Sequence, residues 1–172
     1  MEISMLEHQE IKAAFCKGLE SFFLKYKETK DLIKVLSDYV DSLDHCISNY
    51  IYKPKNDDDS AVTVKPACSN NNDDIIIQAH KGSESVTLAT IKRDNTGAFA
   101  FKEFKCIGSD DGIIVNNMED IKKALVRMLE EPALISALYR LIFQSGWPTS
   151  NNISDSEYEA MIIKGLKAIK NL

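Results

Sequence analysis

The chain has 172 residues, 44% hydrophobic and 27% charged. One domain of this length buries roughly 70% of its unfolded surface, and the composition excludes a chain that is disordered throughout. With 21 basic and 26 acidic side chains the net charge is −5, which disfavours generic nucleic-acid binding because an acidic surface repels phosphate backbones.

Residues 1–60 hold 8 basic and 12 acidic side chains, so most of the excess negative charge lies in the first third. Cys16, Cys46, Cys68 and Cys106 are far apart, with no CxxC pair and no zinc-ligand spacing. The opening "MEISMLEHQE" is acidic without an apolar centre and does not read as a secretory signal. No apolar run approaches the roughly 20 residues of a membrane span. These features predict a cytoplasmic protein with free thiols and no membrane contact.

In chain order, Leu6, Ile11, Ala14, Phe15, Leu19, Phe22, Phe23 and Tyr26 recur at helical spacing, and so do Leu32, Leu36, Tyr39, Leu43, Ile47 and Tyr50. "KETKD" interrupts the pattern with Thr29 as a candidate N-cap, so the expectation is an αα-hairpin; one long bent helix is the alternative. "KPKNDDDS" reads as a surface loop. The periodicity then changes from 3.6 to 2. "AVTVKPA" is expected to be an edge strand because of Pro66. "IIIQAH" reads as a strand buried on both faces, and "SVTLATIK" as its neighbour.

"DNTG" is turn chemistry, and it predicts a tight hairpin with Gly97 at positive φ. On the returning strand Phe99 and Phe101 share one face, which makes them the expected buried pair. Phe104 and Cys106 fall on the other face unless a bulge near Lys102–Glu103 restores them to the core. After "GSDDG" and "IIV", Asn116 with Glu119 fits a helix N-cap. Pro132 suits the first position of the next helix, and Ser154 with Glu157 caps a last one. The fold class is therefore α+β in one domain over 1–172. A helical hairpin (helical 5–51) precedes a three- to four-stranded antiparallel meander (sheet region 61–115). Helices over 117–171 pack on that sheet.

Glu103-Phe104-Lys105 is an E-x-K triplet on a strand. It resembles the triplet of PD-(D/E)xK nucleases, in which it acts with an upstream Asp. Two carboxylates there hold a divalent metal and the Lys stabilises charge at the phosphate. Asp73 or Asp74 is the better-placed partner and Asp94 the poorer one, which makes Asp74 and Glu103 the candidate metal ligands of an alternative, nuclease-like reading. Alternating Lys and Glu are also ordinary on a solvated strand face, and that is the preferred reading. His8, His45 and His80 sit in separate elements. Cys46 and His45 are adjacent, about 100° apart on a helix, and so do not form a dyad. No glycine-rich phosphate cradle and no G-x-S-x-G motif is present.

With no coherent catalytic set, the chain is expected not to be an enzyme and to need no cofactor. The expected function is that of a small acidic interaction protein that binds another protein, a basic one in particular. An inhibitor, immunity protein, antitoxin or secretion chaperone fits that description, and a homodimer is compatible with it. Asp57, Asp58 and Asp59, with Asp110 and Asp111, are the candidate partner-binding charges, because complementary charge speeds association. Trp147 either plugs a helix bundle or anchors an interface.

Overall fold

Neither glycine nor proline occurs between Leu19 and Tyr52, and the chain uses that stretch to build one rod. The computed structural model describes residues 5–52, 61–69 and 73–143. It also describes positions 156, 159, 160, 163 and 167, which are helical and exposed. Helix α1 spans Met5–Cys46, 42 residues, and runs on into a π-helical segment at Ile47–Ile51. The expected hairpin is thus corrected to its alternative, a single helix. Thr29 does not leave the helix to cap a second one; its hydroxyl donates back to the Lys25 carbonyl at 2.8 Å, a bond compatible with a continuous helix.

Five strands follow in an antiparallel sheet of order β1-β2-β3-β4-β5: Val62–Cys68, Ile75–Lys81, Glu84–Arg93, Phe101–Cys106 and Ile113–Ile114. The expected three or four strands become five because Ile113–Ile114 pairs with Phe104 and Glu103; two residues are too short to show a period-2 pattern. Strand β1 lies at an edge, as Pro66 required. Its outward Val64 N–H donates to Asp44 Oδ1 at 2.6 Å, so a carboxylate from α1 occupies a group that would otherwise invite strand addition. Burial pushes the Asp44 carboxyl up, against the pull of that hydrogen bond.

The helices pack on one face of the sheet. Helix α1 lies against β1, α2 (Met118–Leu129) against β4 and α1, and α3 (Pro132–Phe143) against β2 and β3. Ile75, Ile77 and Ala79 are accordingly buried, whereas Ile76, Gln78 and His80 on the other face of β2 are half-buried. The expectation of burial on both faces is corrected for that reason. Tyr39 Oη donates to the Leu125 carbonyl at 3.0 Å, tying α1 to α2, and burial raises its pKa.

Two bulges keep apolar residues on the covered face. Lys92 pairs with Glu103 and Arg93 with Phe101, leaving Lys102 as the extra residue. That bulge, expected from the sequence, puts Phe101 and Phe104 in the core at 1% and 0% exposure, with Cys106 also buried. The second bulge leaves Leu88 unpaired between Thr87 and Ala89. The expected pair of buried rings is corrected in part: Phe101 is buried, while Phe99 packs on the rim, its ring centroid 5.7 Å from that of Phe101.

The β3–β4 connection is not a tight turn. Residues 94–100 form a loop closed by Asp94 N–H to the Ala100 carbonyl at 2.8 Å. Gly97 does not have positive φ; among the described glycines Gly82 and Gly108 do. A Cβ at Gly97 would instead overlap the Asp94 carboxylate. That carboxylate accepts the backbone N–H groups of Thr96 and Gly97 and the Thr96 hydroxyl, which hold its pKa at about 2. A depressed carboxylate contributes stability above its ordinary pKa near 4 and loses it as pH falls through about 2. Asp94→Ala should therefore lower the melting temperature at pH 6. It should also flatten the decline in melting temperature that the parent protein shows between about pH 4 and 2. An unchanged acid profile would show that the loop does not depend on this group.

Helix α2 begins one residue later than expected. Asn117 is the N-cap, accepting from Asp120 N–H at 3.0 Å, and Asp120 reaches back to Asn116 N–H at 2.9 Å. Pro132 opens α3 as expected.

Candidate interaction surface

A 42-residue helix is about 63 Å long, whereas strands of seven to ten residues span about 23–33 Å. The sheet therefore covers only part of α1. From Phe15 onward the stripe advances in alternating steps of four and three: Phe15, Leu19, Phe22, Tyr26, Thr29, Ile33, Leu36, Val40, Leu43 and Ile47. Its C-terminal members Leu36, Val40, Leu43 and Ile47 are buried against the sheet, with Leu32 beside them. Among the described residues nothing covers its N-terminal members.

The β3–β4 loop marks the boundary. Lys25 Nζ donates to the Asp94 carbonyl at 2.9 Å, and Ala100 N–H donates to Glu28 Oε2 at 2.8 Å. Arg93 Nη1 reaches Thr29 Oγ1 at 3.4 Å. Before Lys25 the helix projects for about 30 Å. Along this arm Ile11, Phe15, Phe22 and Phe23 are each more than half exposed and Leu19 is 40% exposed, and Tyr26, at the boundary itself, is also more than half exposed. Phe22 and Phe23 meet edge to face at 5.7 Å, and Lys30 Nζ lies 5.1 Å from the Tyr26 ring centre. Gly18 faces open space on the same side.

The sequence-derived candidates are dispersed. Asp110 and Asp111 are exposed between β4 and β5, where Ser109 Oγ donates to the Asp111 carbonyl at 2.7 Å. Asp57, Asp58, Asp59 and Trp147 lie outside the described residues, as do most of those assigned to the last helix. Glu103 is held by Lys92 at 2.9 Å across the β3–β4 ladder. Asp74 Oδ1 accepts Arg93 N–H at 2.9 Å, and the Asp73 carbonyl accepts from Arg93 Nε at 3.3 Å. Lys105 stands opposite Thr90 on the open face. Asp74 precedes β2 and Glu103 is on β4, so β3 runs between them. Among the described residues no group of three or more His, Cys, Asp or Glu is placed to hold a metal ion, and no helix is long and apolar enough to cross a membrane.

The apolar residues of the arm were visible in the sequence, but their period alone assigned them to a core. The signal that separates the two readings is length: a helix without breakers over 19–52 outruns any sheet that 61–115 can build. The described residues define an α+β fold with helices on one face of the sheet, the other face uncovered among them, and a projecting amphipathic helix. In comparisons with known proteins, no family model, no curated protein and no solved structure matches the chain.

Proposed function

We propose that this chain is a cytoplasmic protein-binding protein of the inhibitor, immunity-protein, antitoxin or secretion-chaperone kind, and that the projecting arm of α1 is its docking surface. The uncovered stripe carries this reading. Four aromatic rings of about 200 Å² each, a little over half exposed, together with Ile11 and Leu19, offer roughly 650 Å² of apolar surface. The largest apolar patch on an ordinary monomer is about 300–600 Å², and larger ones mark interaction sites. Helices that present such a stripe dock into apolar grooves or against other helices. The acidic loop at Asp110 and Asp111 supplies steering toward a basic surface.

The test is affinity capture of the tagged protein from cells that express it naturally, followed by mass spectrometry. Phe22→Glu should remove the captured protein, while Glu103→Ala and Lys105→Ala should leave capture intact. Reversing Asp110 and Asp111 to Lys should slow association several-fold in low salt, with the difference shrinking as ionic strength rises because surface charges are screened beyond about 8–10 Å. Capture that survives Phe22→Glu would sink the arm as the docking surface. Magnesium-dependent cleavage of nucleic acid that disappears in Glu103→Ala would replace the reading with the nuclease-like one.

A further inference from the structure

We infer that the occupant of the arm is a second copy of this chain, in a two-fold antiparallel pairing centred between Gly18 and Leu19. The inference rests on the reading of the arm as a docking surface and names what docks there. The first support is area. Each copy contributes roughly 550 Å² from Ile11, Phe15, Leu19, Phe22 and Tyr26, and a stable interface takes about 800 Å² per partner, which Phe23 on the flank and the neighbouring side-chain stems can complete. A single helix of this kind therefore has enough surface to hold its own copy.

The second support is self-complementarity. With the two-fold axis between residues 18 and 19, Phe15 of one copy lies opposite Phe22 of the other, and Ile11 lies opposite Tyr26. Gly18 meets Leu19 at the crossing. A two-fold interface requires such a patch to match itself. None of these six positions is charged; by the helix's 100° step Glu10, Lys17 and Glu20 lie on its opposite side, while His8 continues the stripe and Lys12 borders it.

Gly18 is the third observation. Glycine is among the poorest helix formers, and among the described residues nothing lies within 4 Å of the space its Cβ would fill. At a helix crossing a missing Cβ has a use, because it lets the two axes approach closely. The antiparallel direction also sends the two sheet layers to opposite ends of the paired arms. Ile33, 43% exposed, continues the stripe beside the sheet.

Sedimentation equilibrium or light scattering on the full chain tests this from about 1 to 100 μM. The parent protein should be a dimer. Phe15→Lys and Phe22→Glu should each weaken dimerisation at least about 100-fold, as loss of a central aromatic anchor does. Both positions are exposed, so circular dichroism should show intact folding in each variant. The double variant Phe15→Lys/Phe22→Glu decides the direction. The two residues lie two turns apart in one helix and do not pair with each other. Antiparallel copies set each Lys against a Glu and should recover much of the dimer, whereas parallel copies set like against like.

A double variant that stays monomeric overturns the inference, and so does a dimer insensitive to both single changes. A parent protein that is monomeric throughout also overturns it. If capture of another protein is still abolished by Phe22→Glu in that last case, the docking reading survives without self-association. If capture is unaffected, both fall.

Discussion

Phe104→Ala should destabilise the protein by about 3–5 kcal/mol, the cost of deleting a fully buried ring and leaving a cavity. Phe104 is 0% exposed on β4, opposite Ile91 on β3 and Ile113 on β5, so it is flanked by strands on both sides. A domain's net stability is only about 5–15 kcal/mol, so the change consumes a large part of it. Thermal unfolding should move down by about 10 °C or more. Phe99→Ala is the matched comparison. That ring is only partly buried, at the edge of the core, and its loss should cost clearly less. Equal effects would contradict the register in which the Lys102 bulge turns Phe104 inward.

The second large effect is expected at Gly108. Its φ of +77° lies in the left-handed region, and a Cβ there would overlap the Cβ of Ala133 at the start of α3. Gly108→Ala therefore combines backbone strain with displacement of α3 from the sheet, and should cost about 2 kcal/mol or more. Urea denaturation followed by fluorescence and by circular dichroism would measure it. A smaller loss in Gly108→Ala/Ala133→Gly would show that the contact with Ala133 contributes part of the cost, while the strain remains. A single variant as stable as its parent would show that the turn has another conformation open to it.

Local chemistry was legible wherever the deciding contacts are close in sequence. The edge position of β1 follows from Pro66, which cannot donate to a central ladder. The bulge at Lys102 follows from the phase change between Phe101 and Phe104. The start of α3 follows from Pro132. The misreadings share a cause as well. Thr29 is an equally good N-cap and mid-helix residue until its hydroxyl finds the Lys25 carbonyl, so "KETKD" looked like a break. The role of Gly97 depends on where the Asp94 carboxylate turns, which backbone preference does not report. Glu103 and Lys105 sit close enough to suggest chemistry, yet Glu103 faces Lys92 from the neighbouring strand.

The sequence by itself determined an α+β chain with an apolar helical stripe before the sheet and a phase-corrected strand after the "DNTG" loop, because periodicity and backbone chemistry are properties of neighbours along the chain. It could not decide which parts of the stripe would be covered. Phe15, Leu19, Phe22 and Tyr26 have the same spacing as Leu36, Val40, Leu43 and Ile47, and by pattern all eight belong to one core. Only the tertiary structure divided them. A helix rises 1.5 Å per residue and keeps its direction, whereas the sheet ends where the β3–β4 loop hydrogen-bonds Lys25 and Glu28. Among the described residues nothing covers the apolar residues of the stripe beyond that point.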